Sequence, residues 1–569
     1  MGDISARSKL DVCVLGALLI GIGAVYLNWM PTTFAVAEDA AANLRHIESG
    51  AVNFHPNHLL FEPIMQALLG LCRLPFPGVE AVDALRGIVL GFALAMFAGV
   101  FTIIRRQHGV SVAALGTAFT AATFGVWHYA LAVDAYVPAL ALAVWALAIF
   151  DLGPTERPRR HAIVLALATS AAVLMHQLYI FLAIVLWFGL WLSSHPNSSA
   201  RPALIYGVVG AAVLMVAYGV AYMAETGNAL NTLDVLRWSR GHASGGLWAP
   251  PGPRTPLFGL AGLGAAIVSV VPFVGLPGAG EIARTLAPGK LIVEEIYAAE
   301  ASLGPSGAIA LSAIGLAALG LCAVLVWRAI GHRNARPWDK LELSLVWLVA
   351  AYALLACIWE AVNLEFWIHV VVFLVLLVCL RTPWGSRRAM APALAATVAL
   401  TAVNLLGGAR AYNDPANDFW QVQTAPLRSA AREADTILLA CPWMCRQYLS
   451  EIDEPRLALP GKAVLPIPAS DHVLLSSFAL APPFAEGPGA KRQRNAFVEA
   501  LRDGPLGLPD INAHDLSAEH VLWKWVEPCW NVYSVTPIHP REPIADAPVS
   551  GTPDDTCEGT PLAAGALSK

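Results

Sequence analysis

Long apolar segments recur along this chain up to Leu406, each separated from the next by a polar stretch. The first two, Leu10–Met30 and Leu85–Ile104, are close to the ~20 residues that an α-helix needs to cross the hydrocarbon core of a bilayer. A repeated pattern of this length restricts the fold, because a segment in lipid must satisfy its own backbone hydrogen bonds. The chain is predicted to be an all-α polytopic membrane bundle.

The amino-acid composition supports the same prediction. Hydrophobic residues make up 57% of the 569 positions and charged residues 14%, whereas soluble proteins carry about 25% charged residues. The net charge is −5 and the basic residues form no dense patch, so we expect no nucleic-acid partner. Five of the nine cysteines lie in or beside apolar segments and are interpreted as small buried hydrophobic residues. The other four suit an oxidising compartment, with their pairing left open: Cys441, Cys445, Cys529 and Cys557.

The apolar segments add up to eleven predicted transmembrane helices. Because cytoplasmic loops accumulate positive charge, Arg7 and Lys9 predict a cytoplasmic N-terminus, and Arg105 and Arg106 mark a later cytoplasmic loop. The predicted spans are Leu10–Met30, Leu85–Ile104, Val110–Trp127, Ala135–Leu152, two helices within His161–Ser194, Ala203–Met223, Ser306–Trp327, Leu341–Ile358, Trp367–Leu380 and Met390–Leu406.

One more apolar segment, Leu257–Pro277, is not counted as a span. If it crossed the membrane, the basic stretch 327–340 would lie outside, against the charge rule. We therefore predict that this segment is re-entrant or buried against the bundle, where Pro272 and the nearby glycines are tolerated.

The chain changes character after residue 408, where charge rises and the apolar segments shorten. We predict a transmembrane domain at 1–408, an extracytoplasmic α/β domain at 409–539 and a disordered tail at 540–569. The predicted strands of the C-terminal domain are Thr436–Ala440, His472–Leu480, Val521–Val526 and Asn531–Val535, and its predicted helices are Ala425–Ala434 and Lys491–Leu501.

The first outer loop, residues 31–84, holds the strongest candidates for chemistry. Glu38 and Asp39 follow the first predicted span. Carboxylates at a membrane boundary are costly to desolvate, so they usually face water or a cavity in the protein. Either could accept a proton from an acceptor hydroxyl or hold a divalent cation such as Mg²⁺ or Mn²⁺. The alternative is that both are ordinary polar residues flanking a span.

Three further candidates lie at outer positions. His55 and His58 are three residues apart and would face the same way in a helix, where they could contact a phosphate or a metal. Two histidines alone do not make a zinc site, and interfacial histidines beside a proline turn are the alternative. Asp134 could share a metal with Asp39 or orient the acceptor, or it could simply start a helix.

Four cations and one carboxylate are candidate donor-binding residues. Cations near a membrane surface suit a phosphate or pyrophosphate group, and ordinary lipid anchoring explains them equally well. The carboxylate lies in the short outer turn 359–366, where tight polar packing is the alternative. These candidates are Arg237, Arg240, His242, Lys290 and Glu365. The sequence carries no P-loop, HExxH or GxSxG pattern.

Several short motifs together resemble a known family. HPNHLLFEPI (55–64) resembles the His-Pro-Pro-rich start of the second membrane segment in enzymes similar to protein O-mannosyltransferases and aminoarabinose transferases. WHYALAVDAYVPAL (127–140) resembles the Trp-x-x-Ala-x-x-x-Glu-x-Tyr pattern of bacterial relatives of the O-mannosyltransferases, and NLEFWI (363–368) resembles one of their outer-turn motifs. With the acidic pair after the first span, the membrane region resembles the glycosyltransferase C superfamily.

The resemblance implies an inverting transfer of sugar from a polyprenyl-phosphate donor to an envelope acceptor, at the outer face of a bacterial inner membrane. Carried over by position, Glu38 or Asp39 would be the catalytic carboxylate of the first loop, and Asp134 would match the second acidic position. The family commonly shows Asp-Glu where this chain has Glu-Asp, and Glu where it has Asp134. These departures leave open which carboxylate is the base and whether a metal takes part.

Two other functions would use the same features. A flippase could move a lipid-linked sugar without chemistry, and a non-catalytic subunit could serve envelope assembly. Transporters often show repeated halves, and this sequence has no internal repeat of fixed period. The polar C-terminal domain also favours an enzyme.

Overall fold

The computed structural model describes residues 2–32, 37–50, 53–153, 157–192, 200–240, 252–286, 292–331, 337–419 and 421, with five short strands beyond residue 435. The chain divides into two compact units. The first comprises Met1–Pro272 and Ser306–Asn413, and the second comprises Phe273–Pro305 and Asp414–Lys569.

The described chain is mostly helical. In chain order its helices are α1 (Gly2–Asn28), α2 (Glu38–Ser49), α3 (Phe61–Arg73), α4 (Ala81–Gln107), α5 (Val110–Ala122), α6 (Phe124–Tyr129), α7 (Tyr136–Leu152), α8 (Pro158–Met175), α9 (Ile180–Leu192), α10 (Arg201–Thr226), α11 (Thr232–Ser239), α12 (Thr255–Ile267), α13 (Val271–Val274), α14 (Ala279–Leu286), α15 (Ile292–Ser302), α16 (Pro305–Gly331), α17 (Lys340–Trp359), α18 (Ile368–Arg381), α19 (Arg387–Asn404) and α20 (Arg410–Tyr412).

Several of these helices are suited to a membrane. Within the described ranges, seven are long and apolar enough to cross one: Lys9–Asn28, Ala81–Gln107, Arg201–Thr226, Pro305–Gly331, Lys340–Trp359, Leu364–Arg381 and Arg387–Tyr412. Four of the eleven predicted spans correspond instead to α5, α7, α8 and α9. The segment His161–Ser194 divides into α8 and α9 at the turn His176–Tyr179, and α5, α7 and α9 have 13, 17 and 13 residues.

Ion pairs join the helices at one end of the first unit, here named the basic end. Arg106 Nε lies 2.6 Å from Asp151 Oδ2 and joins α4 to α7. Arg381 Nη1 lies 3.3 Å from Glu342 Oε2 and joins α18 to α17, and both side chains are at most 1% exposed. The side chain of Asp339 caps the start of α17 by accepting from the backbone of Glu342. The basic end is thus fixed by paired charges.

The apolar segment Leu257–Pro277 does not form a single long helix. It contains α12, which ends at Ile267, and the four-residue helix α13. Ser269 N donates to Asn404 Oδ1 at 2.8 Å, and Asn404 Nδ2 donates to the carbonyls of Ile267 and Ala122 at 2.9 and 2.7 Å. Ala122 is the last residue of α5 and Ile267 is the last residue of α12. The buried side chain of Asn404 therefore supplies hydrogen-bond partners for backbone groups at both helix ends.

The second unit contains α14, α15 and the chain beyond Asp414. Tyr297 of α15 donates its hydroxyl to the carbonyl of Ala416 at 3.3 Å, and its ring lies 5.9 Å from that of Phe419. Five strands form one mixed sheet in the order β2-β1-β3-β5-β4, with β1 parallel to β2 and β3, and β5 antiparallel to β3 and β4. The strands are β1 (Thr436–Leu439), β2 (Leu457–Ala458), β3 (His472–Leu475), β4 (Asn512–His514) and β5 (Val532–Val535).

Several expectations for the C-terminal region fall outside the described residues. Three predicted strands coincide with β1, β3 and β5, whereas β2 and β4 had no predicted counterpart. The predicted strand Val521–Val526, both predicted helices, the tail 540–569 and the four C-terminal cysteines are not described by the structure.

The prediction that five cysteines are buried needs correction. Cys379 is buried, but Cys13 is exposed, and Cys72, Cys322 and Cys357 are partly exposed. The physical reason is that these residues lie on helices with outward apolar faces, which a membrane rather than protein would cover. An apolar pattern by itself does not distinguish a lipid-facing side from a protein-facing one.

Candidate active site

The first outer loop folds into a helix that starts at the acidic pair. α2 begins at Glu38, so Asp39 lies in its first turn, where carboxylates interact favourably with the helix dipole. Asn43, one turn further, donates its side-chain amide to the carbonyl of Val133 at 3.1 Å. This hydrogen bond holds α2 against the turn that carries Asp134. The side chain of Glu38 lies outside the described part of the chain.

Asp134 lies in the turn between α6 and α7 and is 4% exposed. Its Oδ1 accepts a hydrogen bond from the backbone N–H of Ala135 at 2.5 Å, and its Oδ2 has no partner among the described residues. Burial, and next the charge of Asp39, raise the pKa of Asp134 to about 8. Asp39 itself is exposed. The structure therefore brings together a solvent-facing carboxylate and a buried carboxyl group.

A third carboxylate, Glu365, joins this pair from a 3₁₀ turn between α17 and α18. Tyr129 donates its hydroxyl to Glu365 Oε2 at 3.0 Å, and Glu365 N donates to Asn363 Oδ1 at 3.2 Å. Burial, and next the charges of Glu365 and Asp134, raise the pKa of Tyr129 well above its usual range. The end of the first unit that carries Asp39, Asp134 and Glu365 is named the carboxylate end.

The histidine tract lies on the rim of the same end. Pro56–His58 form a 3₁₀ turn in which the rings of His55 and His58 stack at 4.4 Å. Tyr218 of α10 donates its hydroxyl to the carbonyl of Pro56 at 2.9 Å. Nearby, the ring of His176 lies 4.7 Å from that of Tyr136. Burial, with smaller contributions from His369 and His55, lowers the pKa of His176 to about 3. His176 is therefore neutral at physiological pH.

Of the four predicted cations, the structure describes Arg237 and Arg240. Arg237 is in α11 and pairs with Asp234 at 3.1 Å, and Arg240 follows at the C-terminal cap of the helix. Gln177 donates its side-chain amide to the carbonyl of Ser239 at 3.3 Å, which places this end of α11 beside the α8–α9 turn. His242 and Lys290 lie outside the described residues.

Sequence reasoning missed the tyrosines and one carboxyl group of this region. Tyr129 and Tyr136 flank Asp134 in the chain, and their spacing around an acidic residue is the signal that could have identified them. Glu62 is only 1% exposed, and its Oε1 lies 3.4 Å from His46 Nδ1 and 3.3 Å from Asn53 Nδ2. Burial raises the pKa of Glu62 despite these partners. A carboxyl group inside the apolar LLFEPI stretch was the available signal.

A divalent cation at this site would need oxygen or nitrogen ligands from the side chains of the carboxylate end or from the substrate. The described residues contain no group of three or more His, Cys, Asp or Glu side chains placed to hold a metal ion. They do contain the pair Asp39 and Asp134. The buried Oδ2 of Asp134 has no hydrogen-bond partner among the described residues. Mg²⁺ is often held by one or two carboxylates together with substrate phosphate and water. The pair therefore fits a cation shared with substrate better than a zinc site with three or four protein ligands.

Comparisons with known proteins gave structural matches only. No protein-family model matches the chain, and no curated protein matches it in sequence. The crystal structure of ArnT from Cupriavidus metallidurans bound to undecaprenyl phosphate has a TM-score of 0.42 and 15% identity, covering 83% of this chain and 95% of that chain. The apo oligosaccharyltransferase of Archaeoglobus fulgidus has a TM-score of 0.48 and 11% identity, covering 86% and 68%.

A third match is the mycobacterial arabinofuranosyltransferase AftD, determined by cryo-electron microscopy, with a TM-score of 0.42 and 15% identity. The match covers 78% of this chain and 31% of the AftD chain. Oligosaccharyltransferase and arabinofuranosyltransferase are by name enzymes that transfer sugars.

Proposed function

We propose that this protein is an integral-membrane glycosyltransferase that moves a sugar from a polyprenyl-phosphate donor to an envelope acceptor at the outer face of its membrane. The acceptor is a lipid, a glycan or a protein. The observation that carries the proposal is the pairing of exposed Asp39 with buried Asp134 at one end of a bundle of membrane-type helices. Ionisable groups in such positions are costly and are generally functional. Two carboxyl groups in contrasting environments are typical of acid–base sites.

The proposed reaction is a single displacement. An acceptor hydroxyl attacks the anomeric carbon, and its proton passes to a carboxylate. The bond between the anomeric carbon and the phosphate oxygen breaks, and its electron pair stays on the polyprenyl phosphate. Attack opposite the leaving group inverts the configuration. We assign Asp39 as the base because it faces solvent, whereas the raised pKa keeps Asp134 largely protonated at neutral pH. Glu38 is the second candidate for the base.

The donor is proposed to approach along the rim that carries the histidine tract. Its prenyl tail must stay in lipid while its phosphate remains at the interface. The turn Pro56–His58 contacts α11, whose C-terminal end carries Arg237 and Arg240, so this rim presents both imidazole and guanidinium groups. Glu365 accepts a hydrogen bond from Tyr129 among the other carboxyl groups of the site, and we assign it to the sugar hydroxyls. His242 and Lys290 remain candidate phosphate ligands on sequence grounds alone.

A divalent cation is proposed as an optional participant, with Asp39 and Asp134 as the residues that would hold it. When bound, such an ion would neutralise charge on the departing phosphate. It would also favour the ionised form of Asp134, against the effect of burial. The unpartnered Oδ2 of Asp134 supports this assignment.

The membrane arrangement is proposed to follow the sequence prediction, with eleven spans, a cytoplasmic N-terminus and an extracytoplasmic α/β domain in a bacterial inner membrane. Arginines cluster at the basic end, opposite the three carboxylates, as expected if the basic end is cytoplasmic. The break after α12 supports a segment that enters the bundle without crossing. The sheet β1–β5 supports an α/β domain after the last span.

The test uses the purified full-length protein in lipid nanodiscs with a panel of radiolabelled polyprenyl-phosphate sugars. Donor consumption is measured for the wild type, Asp39→Asn, Glu38→Gln and a matched control, Glu48→Gln. Glu48 is an exposed carboxylate on the same helix, about two and a half turns from Asp39. We expect the control to match the wild type and Asp39→Asn to lose activity by ~10²-fold or more, as for the loss of a general base.

Other outcomes would contradict the proposal. Full activity in both Asp39→Asn and Glu38→Gln would remove the assigned base. Movement of the lipid-linked sugar across the bilayer of sealed proteoliposomes, without turnover, would identify a flippase. If neither turnover nor movement occurs with any donor, while the protein is required for envelope assembly in cells, a non-catalytic subunit is the better description.

A further inference from the structure

The short helix α11 has one face packed against the first unit. Val235 and Trp238 contact a buried cluster made by Leu59, Leu174, Tyr218 and Ala221. The rings of Trp238 and Tyr222 meet edge to face at 5.9 Å. α11 is therefore a fixed element and not a loosely attached turn.

The opposite face of α11 is apolar and exposed. Leu233 and Leu236 are 63% and 51% exposed, and Leu230 just before the helix is 61% exposed. Residues three apart in a helix lie along one side, so Leu233 and Leu236 form a short stripe on α11, which Leu230 precedes in the chain. An apolar stripe of this kind indicates a partner, and a membrane is one candidate.

The stripe continues a surface that already belongs to a candidate span. α10 carries exposed Val216, Val220 and Met223 on its outer turns. Leu230 packs against α10 at Gly219. A Cβ added at Gly219 would lie only 3.1 Å from Leu230 Cδ1. The exposed side of α10 must face acyl chains if α10 crosses the membrane, and the leucines of α11 extend that apolar side towards the head groups.

The polar residues of α11 fit the same location. Arg237 lies one turn after Leu233 on the same side, its side chain is 74% exposed, and it pairs with Asp234. Helices at a bilayer surface bury leucines below the head groups and keep arginines at the phosphates. We propose that α11 lies in the head-group layer at the carboxylate end, with Leu233 and Leu236 among the acyl chains and Arg237 at the lipid phosphates.

This inference requires that α10 spans a membrane, but it does not require sugar transfer. If the proposed function also holds, α11 borders the rim that carries His55 and His58, and a lipid-linked donor would reach the site past it. The structural test below is independent of turnover, so failure of one proposal is distinguishable from failure of the other.

The experiment places p-trifluoromethylphenylalanine at one position at a time in the full-length protein in nanodiscs. Leu233 is the test position, Met215 on the exposed side of α10 is the lipid control, and Glu48 is the water control. Fluorine relaxation is measured with a lipid spin-labelled near the head group and, separately, with a soluble gadolinium chelate. We expect position 233 to be relaxed several-fold more by the lipid label than by the chelate, as at position 215. A response like that of position 48 would overturn the proposal.

A second measurement distinguishes lipid from a protein partner. A photoreactive p-benzoylphenylalanine in place of Leu236 is irradiated in native membranes. Adducts with lipid are the expected result. Crosslinking chiefly to a polypeptide would overturn the proposal and identify α11 as a protein-docking surface. Because Leu236 is exposed, its replacement should leave folding intact, and the yield of folded protein is checked against the wild type.

Discussion

Tyr129 donates a hydrogen bond of 3.0 Å to Glu365, joining α6 to a turn 236 residues later in the chain. Glu365 and Asp134 both act electrostatically on this tyrosine, so the phenol lies among the carboxylates of the site. This contact links the turn that carries Glu365 to the helix that precedes Asp134.

The first prediction concerns this hydrogen bond. Tyr129→Phe removes one donor to Glu365 Oε2, while Tyr136 remains beside this carboxyl group, and the loss should cost about 0.5–1.5 kcal/mol of stability. If Glu365 contacts the sugar, KM for the donor should also rise. The measurements are thermal unfolding in detergent and donor kinetics.

The matched control is Tyr206→Phe, which removes another buried tyrosine hydrogen bond, to the carbonyl of Ala183 at 3.2 Å. It should affect stability but not KM. An equal change in KM for both variants would contradict a specific role of Tyr129.

The second prediction concerns pH. The pKa of Asp134 is raised from its ordinary 3.8 to about 8, so the folded state binds this proton more tightly than the unfolded chain. Its contribution to stability is complete below about pH 4 and is lost as the pH rises towards 8. The slope is at most about 1.4 kcal/mol per pH unit. Asp134→Asn should flatten the decline in unfolding temperature between pH 5 and pH 8.

Asp39→Asn provides the internal check on that prediction. Removing the charge of Asp39 removes the second cause of the raised pKa, so the decline should move to lower pH. An unchanged profile in Asp39→Asn would mean that the two carboxyl groups do not interact.

The membrane helices were predictable because hydrophobicity along the sequence is itself the physical cause of their insertion. The acidic pair and Asp134 were chosen as candidates because charged residues at the ends of apolar segments are few, and their roles stay a prediction. What the sequence could not provide was the contact between these segments. Asn43 binds Val133, and Tyr129 binds Glu365, through hydrogen bonds across 90 and 236 residues, and no local pattern encodes such pairs.

Helix breaks were the other feature beyond prediction. The predicted span Val110–Trp127 ends early at Ala122, because the backbone there is satisfied by a side chain from α19. Apolar residues lie on both sides of the break, so hydrophobicity gives no signal for it. Asn404 was the available clue, as a polar amide at the end of an apolar segment.

The third prediction concerns the buried ion pair of the basic end. Glu342→Gln removes the carboxylate that pairs with buried Arg381, which also lies over the ring of Trp338 at 4.2 Å. Breaking one partner of a buried pair typically costs 3–5 kcal/mol. We expect a large fall in unfolding temperature, with activity per folded molecule retained because the carboxylates are at the other end. Asp339→Asn, at the helix cap, should cost clearly less.

The fourth prediction concerns Asn404, whose single side chain makes three buried hydrogen bonds to the ends of α5 and α12. Asn404→Leu keeps the volume but leaves one N–H and two carbonyls without this partner, at about 1–3 kcal/mol for each unsatisfied group. Thr397→Val is the control in the same helix, because the Thr397 hydroxyl donates to the carbonyl of Ala393 within α19. Unfolding in detergent should be affected far more by Asn404→Leu. Equal effects would mean that the two helix breaks are stabilised by packing and not by the asparagine.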